Sequence, residues 1–410
     1  MRSSFLQALV LGGVLAACSS GPASEAAGKA TPVTPFVTTA LAKFDSPFGM
    51  VFLPDGSALV TEKAGKLKLW RNGQPIGDVV GVPRVAAVEQ GGLLGIALSP
   101  HFASDRLVYL AYSEPSAAGG SGLTLALGAL AADGSRLIGL RVLWHDPQGG
   151  KGGQFGAAIA FAPDGNSLFL SSGERQRFTP AQDPNQPLGK ILHLTLDGQP
   201  APDNPGPGAL GTTTTSITTP PDNSGAARSA AGRLFRWPSS NRTPAETWST
   251  GHRNPYGLAF DAAGRLWESE MGPQGGDEIN LIKRGLNYGW PNASNGSNYD
   301  DTDIPDHKPG DGYEPPKVWW KPSISPGGLM IYSGGKWPQW KGDAFLPALS
   351  AQALVRVHLE GDTATKAEQW DLSNRIRAIA QSPAGDIYLL EDGDGGRLLR
   401  LDPAKPQTRR

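Results

Sequence analysis

The chain has 410 residues, with 37 Lys or Arg against 38 Asp or Glu, so its formal net charge is −1. No basic cluster occurs before the last few residues, which argues against a nucleic-acid partner. The many turn residues, 54 Gly and 36 Pro, together with 11 Trp, are typical of a β-rich fold, and the length allows a large buried core.

The N-terminal segment predicts secretion. A positive start at Arg2 precedes a short apolar run that ends at Ala17, as in a signal peptide, and the run is too short to cross a bilayer as a stable helix. The sequence Leu15-Ala16-Ala17-Cys18 resembles the lipobox of bacterial lipoproteins. Cys18 is the chain's single cysteine and has no partner for a disulfide, which favours its lipidation over a chance cysteine after an ordinary signal peptide.

This reading divides the chain into four parts. We predict a signal peptide over 1–17, a lipidated Cys18 with a flexible tether over 18–36, one folded domain over 37–404 and a tail over 405–410. The tether is rich in Ser, Gly, Ala, Pro and Thr. A lipid anchor implies the bacterial cell envelope, and Ser19 in place of Asp after the cysteine favours the periplasmic face of the outer membrane.

A repeated unit follows along the chain: an apolar strand, a turn containing Pro, Asp or Gly, and a second apolar strand. Each copy has the pattern of a β-hairpin. Copies cover 49–60, 159–170, 258–267 and 379–390, 96–110 is a looser copy, and 345–359 is a looser candidate. Repetition of one β unit predicts an all-β, six-bladed β-propeller with long loops at 198–232 and 292–322. A β-sandwich or two smaller β domains are the alternatives.

Arginine residues come just before two of these repeats. Arg253 and Asn254 lie just before the unit at 258–267, on a loop entering a strand, where propellers line their central channel. The fork of donors on Arg suits a carboxylate or a quinone oxygen. Arg375 and Arg377 alternate as in a strand and therefore share one face, which would attract an anion unless it faces solvent.

A turn region over 270–291 is rich in oxygen atoms. Gly272-Pro273 would expose backbone carbonyls, and Asp277, Glu278 and the turn at Tyr288 add further oxygens, the ligands that Ca²⁺ prefers. No EF-hand spacing is present, and a solvated acidic turn explains the pattern equally well. The six His show no metal-ligand spacing, and the Gly-rich stretch 90–95 lacks the features of a nucleotide-binding loop.

Together these motifs resemble the glucose/sorbosone dehydrogenase family over nearly the whole mature chain, from Pro47 to Asp392. The matching segments are 90–95, 173–175, 181–183, 189–190, 251–255, 272–273, 276–280 and 287–291. The resemblance implies a six-bladed propeller that oxidises aldose sugars with pyrroloquinoline quinone (PQQ) and Ca²⁺.

The resemblance also implies roles for individual residues. Arg253 and Asn254 would contact the quinone and the substrate, and Gln90 would line the cofactor pocket. Arg375 and Arg377 would pair with the PQQ carboxylates.

Two Ca²⁺ sites are implied in the same way. The carbonyls of Gly272 and Pro273 would ligate the ion that polarises the quinone. Glu278 and the carbonyl of Tyr288 resemble a second, structural site.

Two positions depart from the family. The catalytic His aligns with Gln154, and an amide cannot accept a proton near neutral pH; losing a general base typically costs ~10²–10⁴-fold in rate. Ala158 also stands where the family has an Arg, and the nearby His145 is not expected to substitute. The Lys that meets PQQ aligns near Ser350, so one cation for the cofactor is missing.

We therefore expect PQQ- and Ca²⁺-dependent aldose oxidation, with Gln154 and Arg253 at the catalytic positions. The expected partners are a sugar, an electron acceptor that the sequence does not identify, and the membrane through Cys18. One alternative is a redox-silent propeller that binds carbohydrate or serves as an envelope scaffold. Another is a Ca²⁺-dependent hydrolase of the lactonase type, which would need a carboxylate-rich central metal.

Overall fold

Six four-stranded antiparallel sheets form the blades of a propeller in the computed structural model, which describes residues 34–117, 119–218 and 232–404. The predicted all-β, six-bladed architecture is therefore confirmed. The predicted signal peptide, Cys18, most of the tether and the tail over 405–410 lie outside the described residues. Within the described part, every helix is too short to span a membrane.

The strands follow the chain blade by blade. Strand β1 (Phe36–Asp45) is followed by the first blade, β2 (Pro47–Phe52), β3 (Ala58–Glu62), β4 (Lys66–Trp70) and β5 (Gly77–Val79), and the second, β6 (Leu93–Leu98), β7 (Leu107–Pro115), β8 (Ser121–Leu130) and β9 (Leu137–His145). The third blade begins with β10 (Gly156–Phe161), β11 (Ser167–Ser172) and β12 (Lys190–Thr195), continues after the separate hairpin β13 (Thr214–Thr218) and β14 (Gly232–Arg236), and ends with β15 (Thr247–Thr250).

The second half of the chain repeats this order. The fourth blade contains β16 (Pro255–Phe260), β17 (Leu266–Glu270), β19 (Asp277–Ile282) and β21 (Val318–Trp320), with the small pair β18 (Gln274–Gly275) and β20 (Gly296–Ser297) beside it. The fifth contains β22 (Met330–Ile331), β23 (Ala344–Ala348), β24 (Ala353–Glu360) and β25 (Thr363–Asp371). The sixth contains β26 (Ile376–Gln381), β27 (Ile387–Glu391) and β28 (Asp394–Pro403), and short helices lie at α1 (Phe102–Asp105), α2 (Thr243–Glu246), and the 3₁₀ turns Thr179–Gln182 and Pro338–Trp340.

The two ends of the described chain close the ring together. Strand β1 pairs antiparallel with β28, from Phe36 opposite Pro403 to Asp45 opposite Asp394, and so becomes the outer strand of the sixth blade. Because one blade contains strands from both ends of the chain, its backbone hydrogen bonds lock the first and last parts of the fold to each other.

Five predicted hairpins coincide with the first two strands of blades one, two, three, four and six. Their turns need a backbone with positive φ, and Gly56, Gly165, Gly264 and Gly385 provide it, with φ between 73° and 84°. The looser candidate at 345–359 falls instead on β23 and β24, the second hairpin of blade five. Its first strand, β22, has only two residues, which is too short to give an alternating pattern.

The innermost strands, β2, β6, β10, β16, β22 and β26, each contact the next around a closed ring. They surround a channel of about 140 Å³ that is lined by glycines and by apolar or aromatic side chains. Glycine is required where the strands come closest, since a Cβ added to Gly95 would lie 1.9 Å from the carbonyl oxygen of Ala157. The loops entering these strands meet at one rim of the channel, where the predicted site residues lie.

Candidate functional site

Gln90, Gln154 and Asn254 meet at this rim although they come from three different blades. The side-chain Oε1 of Gln90 accepts hydrogen bonds from the backbone N–H of Gln154 at 2.7 Å and from the Tyr256 hydroxyl at 3.1 Å. The Oδ1 of Asn254 accepts one from the Gly156 N–H at 3.3 Å. The amide side chains thus hold the entering loops of blades two, three and four together.

Arg253 is buried beside them and lies between two small cavities. Its Nη1 donates hydrogen bonds to the carbonyl oxygens of Met271 at 2.9 Å and Gly272 at 2.7 Å. Its guanidinium lies over the ring of Trp290, 5.2 Å from the centroid. The Gly272 carbonyl, predicted to ligate Ca²⁺, therefore already accepts a hydrogen bond from a cation of the protein itself.

The first cavity, called here the rim pocket, combines aromatic rings, amides, a cation and a carboxylate. Its volume is about 10 Å³, room for roughly one water. It is lined by Gln154, Glu174, Gln176, Phe178, Arg253, Pro273, Trp290, Asn298 and Tyr299. Tyr299 covers Arg253 from the outside, with half of its surface exposed, and its hydroxyl accepts a 3.4 Å hydrogen bond from Nη2.

The structure adds Glu174, to which the sequence assigned no role, to the rim pocket. Its Oε2 accepts the backbone N–H groups of Arg177 and Phe178, each at 2.5 Å, and its Oε1 accepts that of Gln176 at 3.1 Å. Burial raises the pKa of this carboxyl above its ordinary value, against the opposing charge of Arg253 and the N–H donors. An acidic residue directly after an inner hairpin, at the rim end of β11, was the available signal.

Arg375 and Arg377 share one face, as predicted, and both pair with Asp392. Their Nε atoms lie 2.8 Å and 3.2 Å from the two oxygens of that carboxylate. Burial opposes ionisation of Asp392, but the two Arg hold its pKa below the ordinary value. The guanidinium of Arg377 lies 5.6 Å from the Tyr256 ring centroid, which connects this pair to Gln90 at the same rim.

A third cation, Lys63, lies close to this pair. Burial, followed by the charge of Arg377, lowers the pKa of Lys63, and its Nζ donates a 3.1 Å hydrogen bond to the Glu89 carbonyl, next to Gln90. The Nη1 of Arg377 is buried and has no hydrogen-bond partner among the described residues. Sequence reasoning missed Lys63 because it is distant along the chain from both Arg.

The second cavity lies above a buried acidic cluster, defined by Glu268, Glu270, Glu278 and Asn280. The Nδ2 of Asn280 lies 3.0 Å from Glu268, 3.4 Å from Glu270 and 3.1 Å from Glu278, each measured to a carboxylate oxygen. His252 Nδ1 lies 3.2 Å from Glu270 Oε1. Burial, and then the charge of Glu270, raises the pKa of both Glu268 and Glu278 well above the ordinary value.

The acidic cluster fits a divalent cation. Glu270 Oε2 accepts the backbone N–H groups of Arg253 at 2.6 Å and Asn254 at 3.2 Å. In contrast, Glu268 Oε1 and Asn280 Oδ1 are buried without a hydrogen-bond partner in the described part of the chain. Oxygen-rich sets of this kind suit Ca²⁺. Glu278 and Tyr288 line the same cavity, and the Tyr288 ring stacks on His252 with centroids 4.8 Å apart. The residues predicted as a structural metal site are thus brought together.

The two departures lie in different surroundings. Gln154 takes part in the rim pocket, where its Oε1 accepts the Gln176 N–H at 3.3 Å. Ser350 donates a hydrogen bond to the Ser323 carbonyl from an exposed turn. His145 lines a separate outer cavity with Trp144 and is absent from the lining of the rim pocket.

Comparisons with known proteins agree with the family resemblance seen in the sequence. The sequence profile described as Glucose / Sorbosone dehydrogenase matches residues 44–217 and 233–400. The aldose sugar dehydrogenase YliI of Escherichia coli (strain K12) is 35% identical over 383 residues, which cover 91% of this chain and 94% of that protein.

Two solved structures are similar over almost their whole length. The apo form of the soluble aldose sugar dehydrogenase (Asd) from Escherichia coli is 33% identical, with a TM-score of 0.77 and coverage of 90% of this chain and 100% of that one. The PQQ-bound aldose sugar dehydrogenase from Streptomyces coelicolor is 28% identical, with a TM-score of 0.66 and coverage of 91% and 99%. The chain belongs to the glucose/sorbosone dehydrogenase family.

Proposed function

We propose that the protein is a PQQ- and Ca²⁺-dependent aldose dehydrogenase of the bacterial envelope. The observation that carries the proposal is the convergence of Gln90, Gln154, Arg253 and Asn254 on one rim, with Arg375 and Arg377 on the same rim. When bound, PQQ supplies a quinone that takes two electrons from the sugar as a hydride. The relatives named above support the same activity.

The cations at the rim suit a ligand that carries carboxylates. A buried donor without a partner costs about 1–3 kcal/mol, more when it is charged, and Arg377 Nη1 is such a donor. A carboxylate placed there would satisfy it, and Lys63 nearby would supply the charge that Ser350 does not. Tyr299 covers the rim pocket and has to move for a ligand to reach Arg253.

The protein's own residues then have distinct tasks. Arg253 would orient and polarise an oxygen of the ligand, and the Asn254 amide would hold the loop that carries it. Phe178 and Trp290, stacked with centroids 5.5 Å apart, would exclude water from one wall of the rim pocket. The amide of Gln154 can donate or accept a hydrogen bond but cannot take the substrate proton.

Two kinds of Ca²⁺ site follow from the family, and the residues fit them to different degrees. The acidic cluster with Glu278 and the Tyr288 cavity offers several carboxylate oxygens without a matching cation of the protein. At Gly272 and Pro273, an ion would lie beside the positive charge of Arg253, which donates to the Gly272 carbonyl, so it needs the negative charge of a ligand. The first is therefore expected to bind without rearrangement and the second together with the quinone.

The test is a PQQ titration of the mature chain with Cys18→Ser, loaded with Ca²⁺, followed by dye reduction with a panel of aldoses. We expect saturable PQQ binding at micromolar concentration and turnover with at least one aldose. Arg253→Ala should abolish turnover, whereas Arg71→Ala, at a distant surface position that contacts the Asp133 carbonyl, should leave it unchanged. No PQQ binding at micromolar cofactor would overturn the proposal.

A redox-silent carbohydrate-binding propeller is the second candidate, and the amide at position 154 favours it. That reading predicts sugar binding with no turnover in the presence of bound PQQ and Ca²⁺. The hydrolase reading gains no support from the channel, because its described lining is glycine, apolar and aromatic.

We also propose that Cys18 is lipidated and anchors the protein to the outer membrane on its periplasmic face. The lipobox sequence supports this. Metabolic labelling with a fatty acid should label the wild-type chain but not Cys18→Ser. Equal labelling of both would contradict the anchor.

A further inference from the structure

We propose that Glu174 is the proton acceptor of sugar oxidation, in the role that Gln154 cannot fill. The inference rests on the proposed dehydrogenase function. A side chain that takes the substrate proton has to lie beside the residue at the base position, face the same pocket and keep an oxygen lone pair available.

The first requirement is met through a shared hydrogen-bond donor. The backbone N–H of Gln176 donates to Gln154 Oε1 at 3.3 Å and to Glu174 Oε1 at 3.1 Å. Both oxygens therefore lie next to one nitrogen atom. Both side chains also line the rim pocket together with Arg253. A substrate hydroxyl that approached the amide of Gln154 would thus approach the carboxylate as well.

The loop after β11 holds one carboxylate oxygen of Glu174 more firmly than the other. Oε2 is held by two backbone N–H groups, whereas among the described residues Oε1 accepts a single one. This loop is wound tightly: Arg175, Gln176 and Phe178 have φ of 61°, 58° and 60°, in the left-handed region that L-residues rarely occupy. Strained backbone of this kind concentrates at functional sites.

The charges around Glu174 favour a base that works near neutral pH. Arg253 faces it from the loop before β16, and Arg175 and Arg177 act on it from its own loop. Burial outweighs them and raises the pKa of the carboxyl. A general base is most effective when its pKa is close to the working pH, so the shift suits the role.

The chemical step balances without any further reactant. The O1–H bond of the sugar breaks and its proton passes to Glu174 Oε1. The C1–H bond breaks as the hydride leaves for the quinone with both electrons, and the electron pair of the former O1–H bond forms the second C1–O1 bond. The sugar is oxidised to its lactone, the quinone is reduced, and the proton later leaves Glu174.

The experiment compares four forms of the Ca²⁺-loaded mature chain: wild type, Glu174→Gln, Gln154→His and the double variant. We expect Glu174→Gln to lower kcat by about 10²–10⁴-fold, the usual worth of a general base. Its Kd for PQQ should change little. Gln154→His should restore turnover to the Glu174→Gln chain and move the pH dependence to that of an imidazole.

A spectroscopic readout separates proton transfer from a purely structural role. On reduction of the PQQ-loaded protein by sugar, the infrared difference spectrum of the wild type should show a protonated carboxyl band that Glu174→Gln lacks. Glu246→Gln is the matched control, since Glu246 is also buried with a raised pKa but is hydrogen-bonded to Trp144 at a separate cavity. It should leave turnover and the band unchanged.

The outcomes distinguish this inference from the proposed function. If the wild type binds no PQQ, the dehydrogenase proposal fails and the inference with it. If the wild type binds PQQ but turns over no sugar, Glu174 is not a base. The inference alone is overturned if Glu174→Gln keeps the wild-type kcat and pH profile. It is also overturned if that variant binds PQQ but Gln154→His, active by itself, does not rescue it.

Discussion

Two buried regions of opposite charge flank the rim pocket, and they are balanced in different ways. On one side, Arg175 is fully buried and its guanidinium donates to the carbonyl oxygens of Ser121, Gly152 and Gly153 at 2.8–3.2 Å. It also lies 3.8 Å from the Phe155 ring centroid and 4.0 Å from an Asp146 oxygen. On the other side, the acidic cluster gathers three carboxylates around one amide.

The difference indicates which charges the chain satisfies by itself. Arg175 ties together the Gly-rich loop that leads to Gln154, so its role is to shape the pocket wall. In the acidic cluster, Glu268 Oε1 has no hydrogen-bond partner among the described residues, and a buried charge without a counter-charge is strongly destabilising. We infer that the hydrogen bonds of Arg175 are complete in the folded chain, whereas the acidic cluster requires protons or a bound cation.

The largest effect on stability is expected from replacing Arg175. Arg175→Met should lower the free energy of unfolding by about 3–5 kcal/mol, because it removes one of the two cations that face buried Asp146 and leaves several carbonyls without their donor. Urea unfolding followed by tryptophan fluorescence measures this loss. Arg71→Met, at a partly buried surface position where the side chain contacts the Asp133 carbonyl, should change stability by less than about 0.5 kcal/mol. If Arg175→Met leaves the free energy of unfolding almost unchanged, the loop is held by other contacts.

The second largest effect concerns the acidic cluster. Removal of Ca²⁺ with a chelator should lower Tm, since a ligand at 1,000 times its Kd stabilises the folded state by about 4 kcal/mol. Differential scanning calorimetry with and without Ca²⁺ at pH 7.5 measures the change. Mg²⁺ should protect less, because it demands a smaller, regular octahedral set of ligands. Equal Tm values in Ca²⁺ and chelator would mean that protons alone balance the cluster.

The substitution Glu268→Gln tests how the stability of the acidic cluster depends on pH. The pKa of Glu268 is raised in the fold, chiefly by burial, so the metal-free protein is stabilised below the ordinary value of 4.5 and loses that stability as pH rises through the raised pKa. Glu268→Gln should therefore stabilise the metal-free protein at pH 7.5, by about 1–3 kcal/mol, the scale of one unsatisfied buried group.

The same substitution should weaken the Ca²⁺-dependent rise in Tm, because it removes a ligand oxygen. Parallel melting curves at pH 5 and pH 7.5, with and without Ca²⁺, give both comparisons. Asp394→Asn is a suitable control, as an exposed carboxylate that pairs with Ser46 far from the cluster. A destabilised metal-free Glu268→Gln at pH 7.5 would contradict the inferred excess of negative charge.

Sequence reasoning predicted the fold because five of the six blades begin with a hairpin that has its own local pattern. It also singled out Arg253, Asn254, Arg375 and Arg377, which lie in short motifs next to these hairpins, and their roles stay predictions. It could not show that Asn280 lies among three Glu, since those contacts cross strands β17 and β19 and depend on their register. Nor could it show that Glu174 and Gln154, twenty residues apart, share one N–H group.

The smallest effect concerns Lys63, a second place where a charge at the rim lacks its full set of partners. The Nη1 of Arg377 is buried without a hydrogen-bond partner among the described residues. Burial, and then the charge of Arg377, lowers the pKa of Lys63. If this pair awaits an anion, Lys63→Ala should weaken PQQ binding about tenfold, equivalent to about 1.4 kcal/mol. Fluorescence titration with PQQ measures the Kd.

Two further variants decide whether the charge itself matters. Lys63→Arg should restore most of the affinity, and Lys66→Ala, on an exposed position of the adjacent strand β4, should leave it unchanged. Because a rim cation remains partly open to solvent, the loss caused by Lys63→Ala should shrink as the salt concentration rises. If Lys63→Ala binds PQQ as tightly as wild type at low salt, the anion contacts are restricted to the two Arg. The acidic cluster would then be the one group of charges beside the rim pocket, among those described, that still lacks a counter-charge.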